Sequence, residues 1–501
     1  MAAPQELDNR RASVELEPDE FRRLGHQTVD AIADFLQTLP ERPVTTSESP
    51  LEIRRALGGD GLPEQGAPPD ELLADAARLL FDHSALNGHP RFFAYITSSA
   101  APIGALGDLL AAAVNPNVGG FPLAPLATEL EAQTVRWIAE LLGYPTDCGG
   151  LLVSGGNMAN FVGLLAARAA RASWDVRTVG LAADDAAPLR VYVSAETHTW
   201  IQKAADLFGL GTDAVRWIET DDDQRMLVPA LRERIAADRA EGALPLLVVG
   251  TAGSVSTGAI DPLDDLADLC NAEKIWFHVD GAYGAPAAVL SDAPPELGAL
   301  ARADSLAMDP HKWLYAPLEV GCVLVRDREA LRAAFTYRPP YFRFEQGENA
   351  PIHYVDFGPQ NSRGFRALKV WLGLRQAGRD GYARSIAQDV ELAQELHRLA
   401  GSDPELEAWT SSLSITTFRY VPPGVEAGTP AGEALLNRLN EELLGRLQSG
   451  GEVFLSNAVV RGTYLLRACV VNFRTSLGDI RAIPEIVKRV GAEVAAELRD
   501  A

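Results

Sequence analysis

Lysine and cysteine are both scarce in this 501-residue chain. The four cysteines, Cys148, Cys270, Cys322 and Cys469, show no CxxC spacing, which argues against a zinc site or a redox pair, so no metal is expected. A chain of this length can bury a core without disulfide staples. No apolar run reaches the ~18 residues that a membrane-spanning helix requires; LPLLVVGTAG is among the most apolar stretches and is far shorter. The opening MAAPQELDNRRASVELEPDE has no apolar core and carries early acids, unlike a signal peptide. Positive charge is outweighed: Lys+Arg 45 against Asp+Glu 68 leaves −23. That balance disfavours binding to a nucleic-acid backbone or an anionic membrane. There is no low-complexity tract and no internal repeat of roughly 20–50 residues. A cytoplasmic globular protein is expected.

What is present is an ordinary apolar fraction, 47%, arranged in alternating patterns. Residues 1 to about 40 read as a tail and an amphipathic helix through Phe21, Leu24, Val29, Ile32 and Phe35. Pro- and Gly-rich text follows, broken by helical pieces at 50–57 and 70–81. Such an arm has too little apolar surface for a core of its own, and we expect residues 1–100 to wrap a second subunit. From about 101 the helical ALGDLLAAAV and TELEAQTVRWIAELLGY precede short apolar runs that alternate with helices. The runs are LLVSGG, LRVYVSA, LPLLVVGTAG, IWFHVD, SLAM and GCVLVRD. Strand–helix alternation of this kind predicts a mostly parallel α/β sheet covered on both faces, here over 101–375. Residues 376–501 read as a smaller α+β domain, with SLSITTFRYV as a strand and a closing helix.

Each of the best chemical candidates follows a different strand. Lys312, in SLAMDPHKW, has Pro310 to stiffen its loop, His311 as a neighbouring donor and Trp313 to exclude water. Residue type alone makes it a surface lysine; the setting instead suits a desolvated amine, nucleophilic towards a carbonyl. Asp280 closes IWFHVD at the carboxyl end of a strand, where open α/β sheets bind ligands. It is either a turn-forming aspartate or a counter-ion to a heterocyclic nitrogen. Gly155, Gly156 and Asn157 lie between a strand and a helix, so their free amides form an anion site. The pattern is neither GxGxxG nor GxxxxGK[ST], which lowers the nucleotide readings. His198, in VYVSAETHTW, is a cap or an imidazole stacked on a flat cofactor. Pyridoxal 5′-phosphate uses all four features.

HVDGAYG, DPHKW, SGGNMAN and the upstream GHPRFFAYITSS…PLATELE resemble the group II pyridoxal-phosphate-dependent decarboxylases, in particular the aromatic-L-amino-acid decarboxylase branch. The resemblance runs from about residue 15 to the C-terminus. It implies fold type I, similar to aspartate aminotransferase: an N-terminal arm, a mostly parallel seven-stranded cofactor domain and a small C-terminal α+β domain. A homodimer with active sites at the interface is also implied. The family's Schiff-base lysine falls on Lys312, its pyridine-nitrogen carboxylate on Asp280 and its stacking histidine on His198, with Ala282 beneath the opposite ring face. Its phosphate contacts fall on Gly156, Asn157 and His311. Ser254 and Ser256 align near the cofactor's polar edge. The catalytic loop aligns with FTYRPPYFRFEQGENAP, where Tyr341 takes the place of the catalytic tyrosine and Tyr337 competes for it.

Some positions depart from the animal pattern. Asp309 replaces an asparagine near the phosphate and either joins that site or orients His311. Along the substrate segment Tyr95, Ile96, Thr97 and Ser98, Ile96 and Thr97 replace an aromatic and a proline. Asn87, Asn117 and Gly119 stand where bulkier apolar residues line the pocket. The implied reaction is decarboxylation of an L-amino acid, favouring tryptophan, tyrosine, phenylalanine or dopa, to the amine and carbon dioxide. An acidic substrate is disfavoured because no arginine is evidently placed for its side chain. Two alternatives stand beside it: decarboxylation coupled to oxidation to an aldehyde, which Tyr341 disfavours, and an inactive dimeric scaffold, which retention of Lys312 and Asp280 disfavours.

Overall fold

The computed structural model describes residues 12–59, 61–184, 186–337 and 351–500. The larger sheet contains β1 (Gly149–Val153), β2 (Leu189–Ser194), β3 (Val215–Ile218), β4 (Leu244–Thr251), β5 (Trp276–Asp280), β6 (Ser305–Met308) and β7 (Gly321–Val325). Their spatial order is β1-β7-β6-β5-β4-β2-β3. Only β7 runs against the others, antiparallel to both β1 and β6. The six apolar runs read from sequence are all strands; the seventh, β3, is the short edge strand in AVRWIET. Arg216, half-buried on Asp238, and exposed Trp217 leave only two buried residues to signal it. Central β4 is buried along almost its whole length, as expected for a strand covered on both faces. Apolar clusters fill the space on either side of this sheet.

The smaller sheet, β8 (Leu406–Ser412), β9 (Ile415–Tyr420), β10 (Ser456–Val460) and β11 (Thr463–Cys469), is antiparallel in the order β10-β11-β9-β8. SLSITTFRYV begins at the hairpin turn and continues as β9, whereas the polar β8 was not read. The helix Ala367–Ser402 joins the two sheets and breaks at Gly378, which has φ 65°. Before the break it packs against the helices Pro102–Val114 and Pro125–Leu141; a Cβ on Gly107 would meet Leu372 Cδ1 at 2.9 Å and the Lys369 backbone at 3.3 Å. Beyond it, Ala393, Leu396 and Ala400 enter the core beneath the smaller sheet. The predicted arm helices form at Pro18–Thr38, Pro50–Leu57 and Pro69–Asp82. Among the described residues no helix is long and apolar enough to cross a membrane.

Candidate active site

The carboxyl ends of β1, β2, β4, β5 and β6 converge on one cavity of about 590 Å³. This is the crevice in which open parallel sheets bind ligands. Its wall includes Gly155, Gly156, Asn157, His198, Asp280, Ala282, Asp309, His311 and Lys312. Four strand-end loops, far apart in sequence, therefore meet as expected.

The turn after β1 starts the helix Gly156–Arg171 and presents its unpaired amides. Gly155 adopts φ 142°, and a Cβ on Gly156 would lie 2.6 Å from Asp309 Oδ2. Side chains are thus excluded, and an anion can approach the backbone directly. His311 Nδ1 accepts from the Val320 amide at 3.1 Å, which places the ring proton of neutral His311 on Nε2. Burial lowers the pKa of His311.

Asp309 is buried, and its two oxygens differ. Oδ2 lies 3.1 Å from Lys312 Nζ and 3.8 Å from His311 Nε2, while Oδ1 has no hydrogen-bond partner. Beside the two alternatives read for Asp309 the structure adds a third neighbour: Lys312 Nζ lies closer to its carboxylate than His311 does. Asp280 receives Trp200 Nε1–H at 2.8 Å and Asn160 Nδ2–H at 3.2 Å, both on Oδ2. Its Oδ1 receives only the Ala282 amide, at 3.2 Å. His198 lines the same cavity; desolvation by burial lowers its pKa, with Asp280 opposing and Lys312 reinforcing the shift.

Several expectations change. Tyr95, Ile96 and Thr97 line the cavity, but Ser98 does not: its hydroxyl donates to the His311 carbonyl at 2.8 Å and braces that loop. Ser256 reaches the wall, as does Glu196, whereas Ser254 is buried against Thr257. Asn87, Asn117 and Gly119 do not line this chain's cavity. Asn117 Oδ1 instead accepts from the amides of Gly119 and Arg363. Tyr337 is 72% exposed beneath the Arg177 guanidinium, away from the cavity wall. Tyr341 lies outside the described residues.

The expectation that no arginine faces the site fails. Arg467, on β11, lines the cavity and is 2% exposed. Its Nη1 is bonded to the Tyr95 carbonyl at 3.0 Å and Ser456 Oγ at 2.9 Å, while Nε and Nη2 have no partner. Arg467 was legible as a charge within the apolar strand YLLRACVV, but its direction was not. Glu196, two residues before His198, is a second missed wall residue, with its pKa raised by burial.

These groups fit pyridoxal phosphate on the structure's own terms. A side-chain-free amide cradle, a carboxylate with an underused oxygen and a lysine open onto one cavity. Thr251 and Arg467 also contribute to its wall. The fold and site define a pyridoxal-phosphate enzyme. Residues 50–420 match the pyridoxal-dependent decarboxylase conserved domain. An aromatic-L-amino-acid decarboxylase of Bacillus atrophaeus is 34% identical over 484 residues, 96% of this chain and 98% of that protein. A phenylacetaldehyde synthase of Arabidopsis thaliana is 30% identical over 465 residues, 91% and 92% of the two chains. The crystal structure of Catharanthus roseus tryptophan decarboxylase with L-tryptophan superposes with a TM-score of 0.86 at 28% identity, covering 96% of this chain and 99% of that one. The chain belongs to the pyridoxal-dependent decarboxylase family and is a pyridoxal-phosphate-dependent amino-acid decarboxylase.

Proposed function

We propose that the enzyme decarboxylates an aromatic L-amino acid and releases the corresponding amine. The observation that carries the assignment of roles is the convergence of Lys312, Asp280, His198 and the Gly155–Asn157 amides on one cavity. Support for an aromatic substrate comes from the named activities of the similar proteins. When bound, pyridoxal phosphate supplies an electron sink for the pair left behind by departing carbon dioxide.

The chain's own residues prepare that event. Lys312 would supply the amine that tethers the cofactor, with Asp309 beside its Nζ. Asp280 would keep a proton on the ring nitrogen through a fixed carboxylate. The Gly155–Asn157 amides would hold the phosphate, with His311 beside them, and Ala282 and His198 would bound the ring site. His198 would also carry a proton to the reacting carbon. Arg467, held through Nη1 by the Tyr95 carbonyl and Ser456, would place positive charge at the wall near a substrate carboxylate. Tyr95, Ile96 and Thr97 bound the side-chain pocket.

The active unit is proposed to be a homodimer. The arm and neighbouring helices leave Phe21, Leu72, Leu80, Leu109, Leu110 and Val114 exposed, apolar side chains that a second subunit would cover. Sedimentation at the mass of a monomer would refute this.

The similarity to a phenylacetaldehyde synthase favours one second reading, oxidative release of an aldehyde. One experiment tests both: carbon dioxide release across the amino acids, with amine, aldehyde and oxygen uptake measured. Aromatic amine without oxygen uptake supports the proposal. Aldehyde with oxygen uptake supports the alternative, and turnover confined to acidic amino acids refutes both. Tyr341→Phe should divert flux from amine to aldehyde if that phenol is the proton donor; unchanged amine production would return that role to His198.

A further inference from the structure

Behind Asp280 runs a chain of buried polar side chains, of which Asn160 borders the cavity and the others lie beyond it. Trp276 Nε1 donates to Ser305 Oγ at 2.8 Å. Ser305 Oγ lies 2.7 Å from His278 Nδ1, His278 Nε2 lies 2.7 Å from Asn160 Oδ1, and Asn160 Nδ2 donates to Asp280 Oδ2. Ser305 and His278 are fully buried and Asn160 is 1% exposed. Gly163 leaves the ring its space: a Cβ there would lie 2.8 Å from His278 Cε1.

Every proton in this chain has a determined direction. An indole N–H can only donate, so Ser305 Oγ accepts from Trp276, and the direction of its own hydrogen towards His278 Nδ1 is set by the imidazole tautomer. The amide of Asn160 must face the carboxylate with its NH₂ group, because its oxygen would meet a second acceptor there. Asn160 Oδ1 therefore accepts from His278, and the neutral imidazole carries its hydrogen on Nε2. Burial lowers the His278 pKa to about 4, consistent with a neutral ring. The chain delivers one oriented donor to Asp280 Oδ2, and Trp200 adds another from the side. With Oδ2 occupied twice, Oδ1 retains capacity for a further donor.

We propose that His278 and Asn160 are positioning residues that orient Asp280, so that Oδ1, as a carboxylate oxygen, meets the cofactor's ring nitrogen. Neither touches the reacting atoms. They act by removing the carboxylate's rotational freedom and by stabilising its charge with aligned donors in a dry setting. The inference rests on the proposed pairing of Asp280 with the ring nitrogen.

The test uses equilibrium binding to the full-length apoenzyme rather than turnover. Dissociation constants are measured for pyridoxal 5′-phosphate and for 1-deazapyridoxal 5′-phosphate, which has C–H in place of the ring nitrogen. Their ratio isolates the nitrogen contact, whereas a loosened fold weakens both ligands alike. Asp280→Ala is the reference and should bring the ratio close to one. An unchanged ratio in that variant would overturn the pairing itself.

His278→Phe should lower the wild-type preference about tenfold, as expected for a hydrogen-bonded ion contact that has lost its alignment. His278→Gln, which keeps an N–H donor, should recover part of it. Should the phenylalanine variant fail to fold, Asn160→Leu removes the final link at similar volume and should lower the same ratio. Equal weakening of both ligands in the folded variants, or no change in either, refutes the positioning role while leaving Asp280's own role intact.

Discussion

Asp389 gives the most quantitative test of how the lysine loop is held. Its carboxylate lies in the helix Ala367–Ser402 and accepts from Trp313 Nε1 at 2.9 Å and Tyr315 Oη at 2.8 Å, both on Oδ2. These donors follow Lys312 by one and three residues, and Trp313 also stacks on Tyr283 at 4.9 Å. The two hydrogen bonds favour the anion, but burial outweighs them and raises the Asp389 pKa from 3.8 to about 7. A carboxyl with a raised folded-state pKa contributes stability below its unfolded value, and that contribution is lost as pH rises through the folded value. Between pH 5 and pH 8 the loss is about 2–3 kcal/mol.

Asp389→Asn keeps an acceptor for Trp313 and Tyr315 and removes the titration. The variant should therefore gain about 2–3 kcal/mol relative to wild type between pH 5 and pH 8. Urea unfolding of both apoproteins at the two pH values measures this, and titrations common to both chains cancel in the difference. Parallel stability profiles would show that Asp389 stays ionised throughout and that its two donors, rather than burial, govern its state. Asp389→Leu is the harsher case. It strands two buried donors at about 1–3 kcal/mol each and should lower kcat by loosening the loop that carries Lys312.

Lys312→Ala should abolish turnover in a folded protein that still binds cofactor without a covalent link. Borohydride reduction and peptide mapping check the tether, and a pyridoxyl label on Lys203 or Lys369 would refute the assignment. Asp280→Ala should lower kcat by ~10³-fold, the loss expected for a principal electrostatic contact worth about 4 kcal/mol; activity within a few-fold of wild type would place another group at the ring nitrogen. Arg467→Met, which keeps length and removes charge, should lower kcat/KM by about tenfold or more if its charge at the wall attracts a substrate carboxylate. Unchanged steady-state kinetics would leave that charge without a part in binding.

Local pattern determined most of the larger sheet. Apolar runs bounded by turn residues have few conformational choices, so six strands and their intervening helices could be read from order and composition. The edge strand β3 and the polar β8 were missed because partial burial leaves little hydrophobic contrast to read. The reversed direction of β7 was equally hidden, since an apolar strand looks alike in either direction. At the site, Lys312, Asp280, His198 and Gly156 were legible because each sits at a strand end beside a turn, where α/β sheets place chemistry. Side-chain direction was not. Tertiary packing alone turned Arg467 inward, spent Ser98 on the His311 carbonyl and set Asp309 against Lys312. The physical reason is that a strand residue's neighbours come from other segments: the donors reaching Asp280 arise 120 and 80 residues earlier, and only folding makes them adjacent.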